Sequence, residues 1–179
     1  KEKPKKNKIN ILYLDHSKKF GIDKLKVVED LKILKKDSLI KLTIRPNTSI
    51  EFVKDKSDLD IFYKNNLGSN IDYDETINLI KKSDIIINPI SSVIIKAYLL
   101  NKIIVHPVHY IPKEVMIWQR YKSCFEVNSS KDIVKLVQKF RLNKLNTKNY
   151  FDNCNKMLNF LIQNKNINNK LKKILENII

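Results

Sequence analysis

The residues of this sequence best suited to bind a phosphate group are two adjacent serines, Ser91 and Ser92. They follow the dipeptide Asn88-Pro89 and precede a mostly apolar stretch, residues 93–100, that predicts a helix. Hydroxyl groups, free backbone N–H groups and the positive end of the helix dipole would then face the same anion. Serine is also a preferred N-cap residue, so capping alone is the simpler interpretation of this stretch taken by itself.

Arg45 is a second candidate for binding phosphate, because it directly follows a predicted strand and its guanidinium group offers a planar fork of donors. Arginine is rare in this chain: the only others are Arg120 and Arg141, whereas lysine is abundant. This scarcity favours a functional role for Arg45. A surface salt bridge is the alternative.

Two histidines could assist in binding a ligand. His16 follows the first predicted strand, next to Asp15, and His109 lies beside Tyr110 in a predicted loop over residues 107–112. A single histidine on a loop is more often simply solvated. The residues alone therefore leave both roles open.

Alternating strands and helices would position these side chains. Short apolar, β-branched runs predict strands covered on both faces, and amphipathic patterns predict the helices between them. The predicted strands are residues 9–14, 39–44, 85–87, 103–105 and 124–127, and the predicted helices are 23–35, 74–82, 93–100, 129–140, 150–163 and 167–179. Residues 49–56 favour a short helix, whereas residues 59–63 fit either a strand or a helical turn. The alternation predicts an α/β fold with a doubly wound parallel sheet, whose ligand residues lie at the carboxyl ends of its strands.

Composition argues against several kinds of site. With only Gly21 and Gly68, the chain cannot form a glycine-rich phosphate cradle, so hydroxyls, helix termini and Arg or Lys must hold any phosphate. Cys124 and Cys154 suggest reduced, buried thiols of a cytosolic protein rather than a disulfide framework or a metal site. No cluster of carboxylates, histidines or cysteines predicts a metal. No apolar run approaches the ~20 residues of a membrane span.

The chain is strongly basic, with 35 Lys and Arg against 19 Asp and Glu and a formal net charge of +16. Such a charge ordinarily indicates nucleic acid or an anionic membrane surface as a partner. Lysine, asparagine and isoleucine crowd every segment, however, which suggests a compositional bias rather than a basic patch. A non-enzymatic nucleic-acid-binding domain is therefore the second hypothesis, and it would require basic residues gathered with exposed aromatic rings.

The chain divides into three predicted parts. Residues 1–8 predict a basic linker or a frayed end, residues 9–145 a single α/β domain, and residues 146–179 an appendage of amphipathic helices. The sequence starts at Lys1 without an initiator Met, so we expect a fragment whose missing part lies upstream.

The segment SDIIINPISSVIIKAYLLNKIIVHPVHY, residues 83–110, resembles the nucleotide-binding half of GT-B fold transferases of the bacterial cell envelope. The most similar groups are the CDP-glycerol glycerophosphotransferase-like and capsule polysaccharide transferase-like proteins. The shared pattern is a Ser-Asp before an apolar strand, a Ser-Ser-Val turn, a helix ending in Leu-Asn-Lys, a second strand and a Pro-x-x-Tyr loop. Upstream, Arg45-Pro46 matches the start of the family's Lys-Pro-His-Pro turn, in which Asn47 stands in place of the His. Lys96 departs from the acidic residue that many relatives carry after the serines.

The resemblance implies the Rossmann-like half of a GT-B fold, with C-terminal amphipathic helices, that holds the phosphates of a donor nucleotide in the cleft between two domains. The implied phosphate-binding residues are Ser91, Ser92 and the basic turn with Arg45 and Asn47, and His16 and His109 are added as candidate helpers from their positions in the sequence. No metal and no cofactor are implied, and the donor would be a CDP-, CMP- or UDP-linked sugar or glycerol.

The implied function is the donor-binding part of a glycosyltransferase or glycerophosphotransferase that makes cell-surface polysaccharide. The catalytic base would come from the missing N-terminal half, so the catalytic residues are unknown and the fragment alone is expected to be inactive. The resemblance implies a cytoplasmic protein, peripheral at the inner membrane surface through its basic residues, with no specific nucleic acid as partner. A sugar-nucleotide epimerase of the same fold is a further alternative, and only the missing half would distinguish it from a transferase.

Overall fold

The computed structural model of the chain describes residues 8–16, 21–47, 57–88, 90, 93–111 and 116–163. Strands and helices alternate through these ranges. The strands are β1 (Ile9–Leu14), β2 (Ile40–Arg45), β3 (Ile85–Ile87), β4 (Ile103–Pro107) and β5 (Phe125–Val127). The helices are α1 (Lys24–Lys36), α2 (Ser57–Lys64), α3 (Thr76–Lys82), α4 (Ile94–Leu99), α5 (Ile117–Arg120), α6 (Ser130–Arg141) and α7 (Thr147–Gln163), with 3-10 turns at Gly68–Asn70 and Val108–Tyr110.

The five strands form one parallel sheet in the order β2-β1-β3-β4-β5. β1 lies between β2 and β3, so the chain winds outward from β1 in both directions and the strand order reverses there. The register pairs Leu14 with Arg45 and Tyr13 with Ile87, which brings the carboxyl ends of these three strands to one edge. The predicted doubly wound parallel sheet is therefore confirmed.

The centre of the sheet is buried on both faces, as its continuous apolar runs predict. Every residue of β3 and β4 is buried, including His106 and Pro107 at the end of β4. Two predicted helix starts are confirmed by their caps. The side chain of Asp23 accepts from the backbone N–H of Leu25 and Lys26, and Ser129 accepts from the N–H of Asp132.

The prediction that the serines cap the helix after β3 is wrong in its position. Helix α4 begins at Ile94, its N-cap residue is Val93, and this cap makes no side-chain hydrogen bond. Ser91 and Ser92 themselves lie outside the described residues, as does Pro89. The undecided segment 59–63 is helical, within α2, and the predicted helices over 49–56 and 167–179 also lie outside the described residues.

Helix α7 packs on the same core as the sheet. Five of its side chains are buried: Tyr150, Cys154, Met157, Leu158 and Leu161. The Tyr150 hydroxyl donates to the Lys102 carbonyl at 2.9 Å and accepts from the Ile104 N–H at 3.0 Å, which ties the helix to β4. The division at residue 145 stays a prediction, but the described part of the C-terminal segment shares the domain's core. Across the described ranges, no helix combines the length and apolarity that crossing a membrane requires.

Candidate functional site

The side chains that follow β1 and β3 meet at the carboxyl edge of the sheet. His16 Nε2 lies 3.4 Å from Asn88 Oδ1, although the two residues are 72 positions apart in sequence. Asn88 is fully buried, and its backbone N–H donates to the Val105 carbonyl at 3.0 Å. The contact sits where the strand order reverses, which is the position at which open α/β sheets bind their ligands.

His16 is neutral at physiological pH. Burial lowers the pKa of His16 to about 4, the hydrogen bond to Asn88 opposes that shift, and the charge of Lys24 adds to it. The sequence predicts His16 as a site residue but gives no sign of its charge state, because Lys24 is eight positions away.

A buried ion pair lies directly beside His16. Lys24 Nζ donates to Asp15 Oδ1 at 2.5 Å, and the side chains are only 9% and 3% exposed. The Tyr13 hydroxyl donates to the same carboxylate oxygen at 3.3 Å. Burial raises the pKa of Asp15 while the charge of Lys24 opposes this. The pair joins the first residue of α1 to the end of β1, and it was missed because Lys24 is one of many lysines in the sequence.

Arg45 ends β2 on the other side of β1. Its carbonyl accepts from the Asp15 N–H at 2.9 Å, and its Nη1 donates to the Pro46 carbonyl at 2.8 Å. The side chain is partly buried, and so is Asn47 two residues later. The structure thus places Arg45 and His16 at the ends of neighbouring strands, as predicted from their positions after strands.

An exposed pair of tyrosines adjoins Arg45. Tyr63 and Tyr73 are 55% and 56% exposed, and their side chains are hydrogen-bonded to each other. Partial burial and the bond to Tyr63 raise the pKa of Tyr73, whereas the charge of Arg45 lowers it. The Tyr63 ring lies over Gly68, where an added Cβ would come within 2.5 Å of it.

His109 is held by other partners. Its Nε2 lies 2.8 Å from Asp30 Oδ2 and its Nδ1 lies 3.2 Å from the Val127 carbonyl oxygen. The buried Tyr110 hydroxyl donates to the same Asp30 oxygen at 2.7 Å. Both ring nitrogens of His109 therefore face acceptor atoms of the protein. His109 can contact a nucleotide only by giving up one of these bonds, and its predicted role stays a prediction.

Trp118 is buried and packs against the end of β4. Its Nε1 donates to His106 Nδ1 at 3.2 Å, and the two rings meet edge to face at 5.9 Å. His106 is fully buried at the end of β4. Among the residues that the structure describes, no group of three or more His, Cys, Asp or Glu side chains could hold a metal ion.

Solved structures with a similar fold include three from bacterial glycosyltransferases or related proteins. The C-terminal CMP-Kdo binding domain of WaaA from Acinetobacter baumannii has a TM-score of 0.55 at 11% identity, with 85% of this chain and 90% of that chain covered. A glycosyltransferase from Rickettsia africae gives 0.54 at 21% identity, with 96% and 47% covered. HepE from Anabaena, solved in complex with UDP, gives 0.56 at 10% identity, with 96% and 49% covered.

This similarity shows the fold, which is that of the C-terminal half of GT-B proteins. The chain spans about half the length of the Rickettsia and Anabaena proteins. No protein-family model matches the sequence, and a search of curated proteins finds no match.

Proposed function

We propose that the chain is the donor-nucleotide-binding domain of a glycosyltransferase or glycerophosphotransferase that makes cell-surface polysaccharide. The observation that supports this most is the meeting of three strand ends at the point where the strand order reverses, with Arg45, His16 and Asn88 at the ends of β2, β1 and β3. Structures of the same fold include a CMP-Kdo binding domain and a complex with UDP.

In this proposal Arg45, Ser91 and Ser92 bind the phosphates of the donor, and Asn47, His16 and His109 are the further candidates. Positive charge is needed there because the departing nucleotide phosphate gains negative charge as the bond to the transferred group breaks. The donor would be a CDP-, CMP- or UDP-linked sugar or glycerol. A preceding half of the same protein would supply the acceptor site and the base, in the cytoplasm at the inner membrane surface.

Calorimetric titration of the full chain with CMP, CDP, UDP and GDP tests the proposal. We expect saturable binding of at least one of them. Replacing Arg45 with Ala should weaken it roughly tenfold to a hundredfold, because a charge-assisted hydrogen bond contributes about 1.5–3 kcal/mol. Arg120→Ala is the matched control, since Arg120 is an exposed arginine on α5 and should leave binding unchanged.

Two outcomes would overturn the proposal. One is the absence of binding to all four nucleotides. The other is salt-dependent retention of the chain on DNA together with an Arg45→Ala variant that binds nucleotides as the unmodified chain does, which would favour the nucleic-acid-binding alternative.

A further inference from the structure

We propose that His16 is a neutral hydrogen-bond acceptor for a hydroxyl group of the donor, rather than a ligand of its phosphates. The inference rests on the proposed function, because it assigns one chemical group of the donor to one residue of the same site. It follows from the partner of the His16 ring, from the charges beside the ring and from its place between two strands.

The contact with Asn88 fixes which ring nitrogen carries the proton. His16 Nε2 faces Asn88 Oδ1 at 3.4 Å, and an amide oxygen only accepts hydrogen bonds. Nε2 must therefore donate, which leaves the lone pair of a neutral ring on Nδ1. Asn88 is held in position, because it is fully buried and its backbone N–H donates to the Val105 carbonyl. Within the described part of the chain, Nδ1 of His16 makes no hydrogen bond.

The groups around the ring oppose a second positive charge. The ammonium group of Lys24 disfavours protonation of His16, and burial of the ring does so more strongly. Asp15 is next to His16 in sequence, but Lys24 occupies its Oδ1 atom at 2.5 Å and the Tyr13 hydroxyl donates to the same atom. This oxygen of the carboxylate thus already accepts from two other donors.

A neutral acceptor distinguishes between the groups of a nucleotide-linked donor. Phosphate oxygens present lone pairs, and two lone pairs repel each other, whereas a hydroxyl group presents the proton that Nδ1 can accept. Arg45 lies on the neighbouring strand, two residues before the register position of His16, and supplies the cation. This edge of the sheet therefore offers a charged hydrogen-bond donor, Arg45 at the end of β2, and a neutral hydrogen-bond acceptor, His16 after β1.

Calorimetric titrations of the full chain, its His16→Phe variant and its His16→Gln variant test this assignment. The probes are UDP, CDP, UDP-glucose and inorganic pyrophosphate. We expect His16→Phe to weaken binding of the hydroxyl-bearing probes roughly threefold to tenfold and to leave pyrophosphate binding unchanged. His16→Gln should recover part of the loss, because the glutamine amide oxygen also accepts. A loss already present with UDP or CDP assigns the ribose, and a loss confined to UDP-glucose assigns the transferred sugar.

Equal weakening of pyrophosphate and nucleotide binding, or no change with any probe, would overturn the inference while leaving the proposed function intact. Failure of the unmodified chain to bind any nucleotide would overturn both. Long-range proton–nitrogen spectra of the unmodified chain at about pH 6 give a readout that needs no variant. A neutral His16 ring protonated on Nε2 supports the inference, and an imidazolium or a ring protonated on Nδ1 contradicts it.

Discussion

His16 and His109 both follow strands at the carboxyl edge of the same sheet, yet their hydrogen-bond partners differ. His16 is partly buried beside the ammonium group of Lys24 and donates one hydrogen bond to an amide oxygen, so it is neutral. His109 lies between the Asp30 carboxylate and the Val127 carbonyl, so both of its ring nitrogens face protein acceptors. Loop position alone therefore does not set the chemistry of a histidine.

The two environments also differ in what remains for a ligand. Through its two nitrogens, His109 links α1 to β5 across the segment that follows β4. This indicates a stabilising role for what we call the Asp30 cluster: Asp30, His109 and Tyr110. His16 uses one nitrogen to contact Asn88. The comparison predicts that changes in the Asp30 cluster act mainly on stability, whereas changes at His16 act on pH dependence and ligand binding.

The largest effect is expected for Asp30→Ala, and a small effect would contradict the stabilising role of the Asp30 cluster. Removing this buried carboxylate leaves the His109 ring and the Tyr110 hydroxyl without their shared partner. We expect the free energy of unfolding, measured with urea at about pH 7, to fall by about 4 kcal/mol. Glu29→Ala is the matched control, because Glu29 is an exposed carboxylate on the same helix and should change stability by less than about 0.5 kcal/mol. Equal effects of the two changes would contradict a stabilising role for the buried Asp30 carboxylate.

A second prediction concerns the pH dependence of folding stability that His16 produces. The folded-state pKa of about 4 lies below the ordinary value of 6.5, so the unfolded chain binds more protons at this site between these pH values. Stability should therefore fall as pH decreases through this window. We expect the unmodified chain to lose roughly 2 kcal/mol more than His16→Gln between about pH 7 and about pH 4.5, since glutamine does not titrate. Parallel pH profiles of the two proteins in urea unfolding would show that His16 is not held neutral by the fold.

The smallest effect is expected for Tyr110→Phe, which removes one hydrogen bond from Asp30 but keeps the contact with His109. The free energy of unfolding should fall by about 1 kcal/mol, because the ring remains in place and the carboxylate keeps its other partner. Thermal unfolding at neutral pH, followed by circular dichroism, measures this change. A loss as large as that of Asp30→Ala would mean that the hydroxyl, not the contact between Asp30 and His109, stabilises the cluster.

Most of the fold was predictable from local patterns. The apolar run of β3 predicts a strand covered on both faces, and Ser129 with Asp132 predicts the start of α6, as the structure has them. The segment that forms α2 was ambiguous, because Leu59–Tyr63 is too short for periodicity to separate a strand from a helix. The sequence predicts the cap of α4 at the serines, one or two residues before the observed N-cap residue, Val93. The preference of serine for N-caps indicates that a helix starts nearby but does not fix its first residue.

Less of the candidate site was predictable. Arg45 and His16 were identified because they directly follow strands, and parallel strands end at one edge. The contacts that set the chemistry of His16 and His109 were not predictable, because each joins residues that are distant in sequence: His16 with Asn88, and His109 with Asp30. Lys24 was also missed, since nothing in a lysine-rich sequence distinguishes the one ammonium that is buried against Asp15.

The most direct test of the central claim is a titration of the isotope-labelled full chain with UDP and CDP, followed by amide chemical shifts. The account predicts saturable shift changes concentrated at the ends of β1, β2 and β3, around His16, Arg45 and Asn88. Absence of saturable changes with both nucleotides, or changes spread over the lysines of α6 and α7 and abolished by salt, would contradict a nucleotide site at this edge of the sheet.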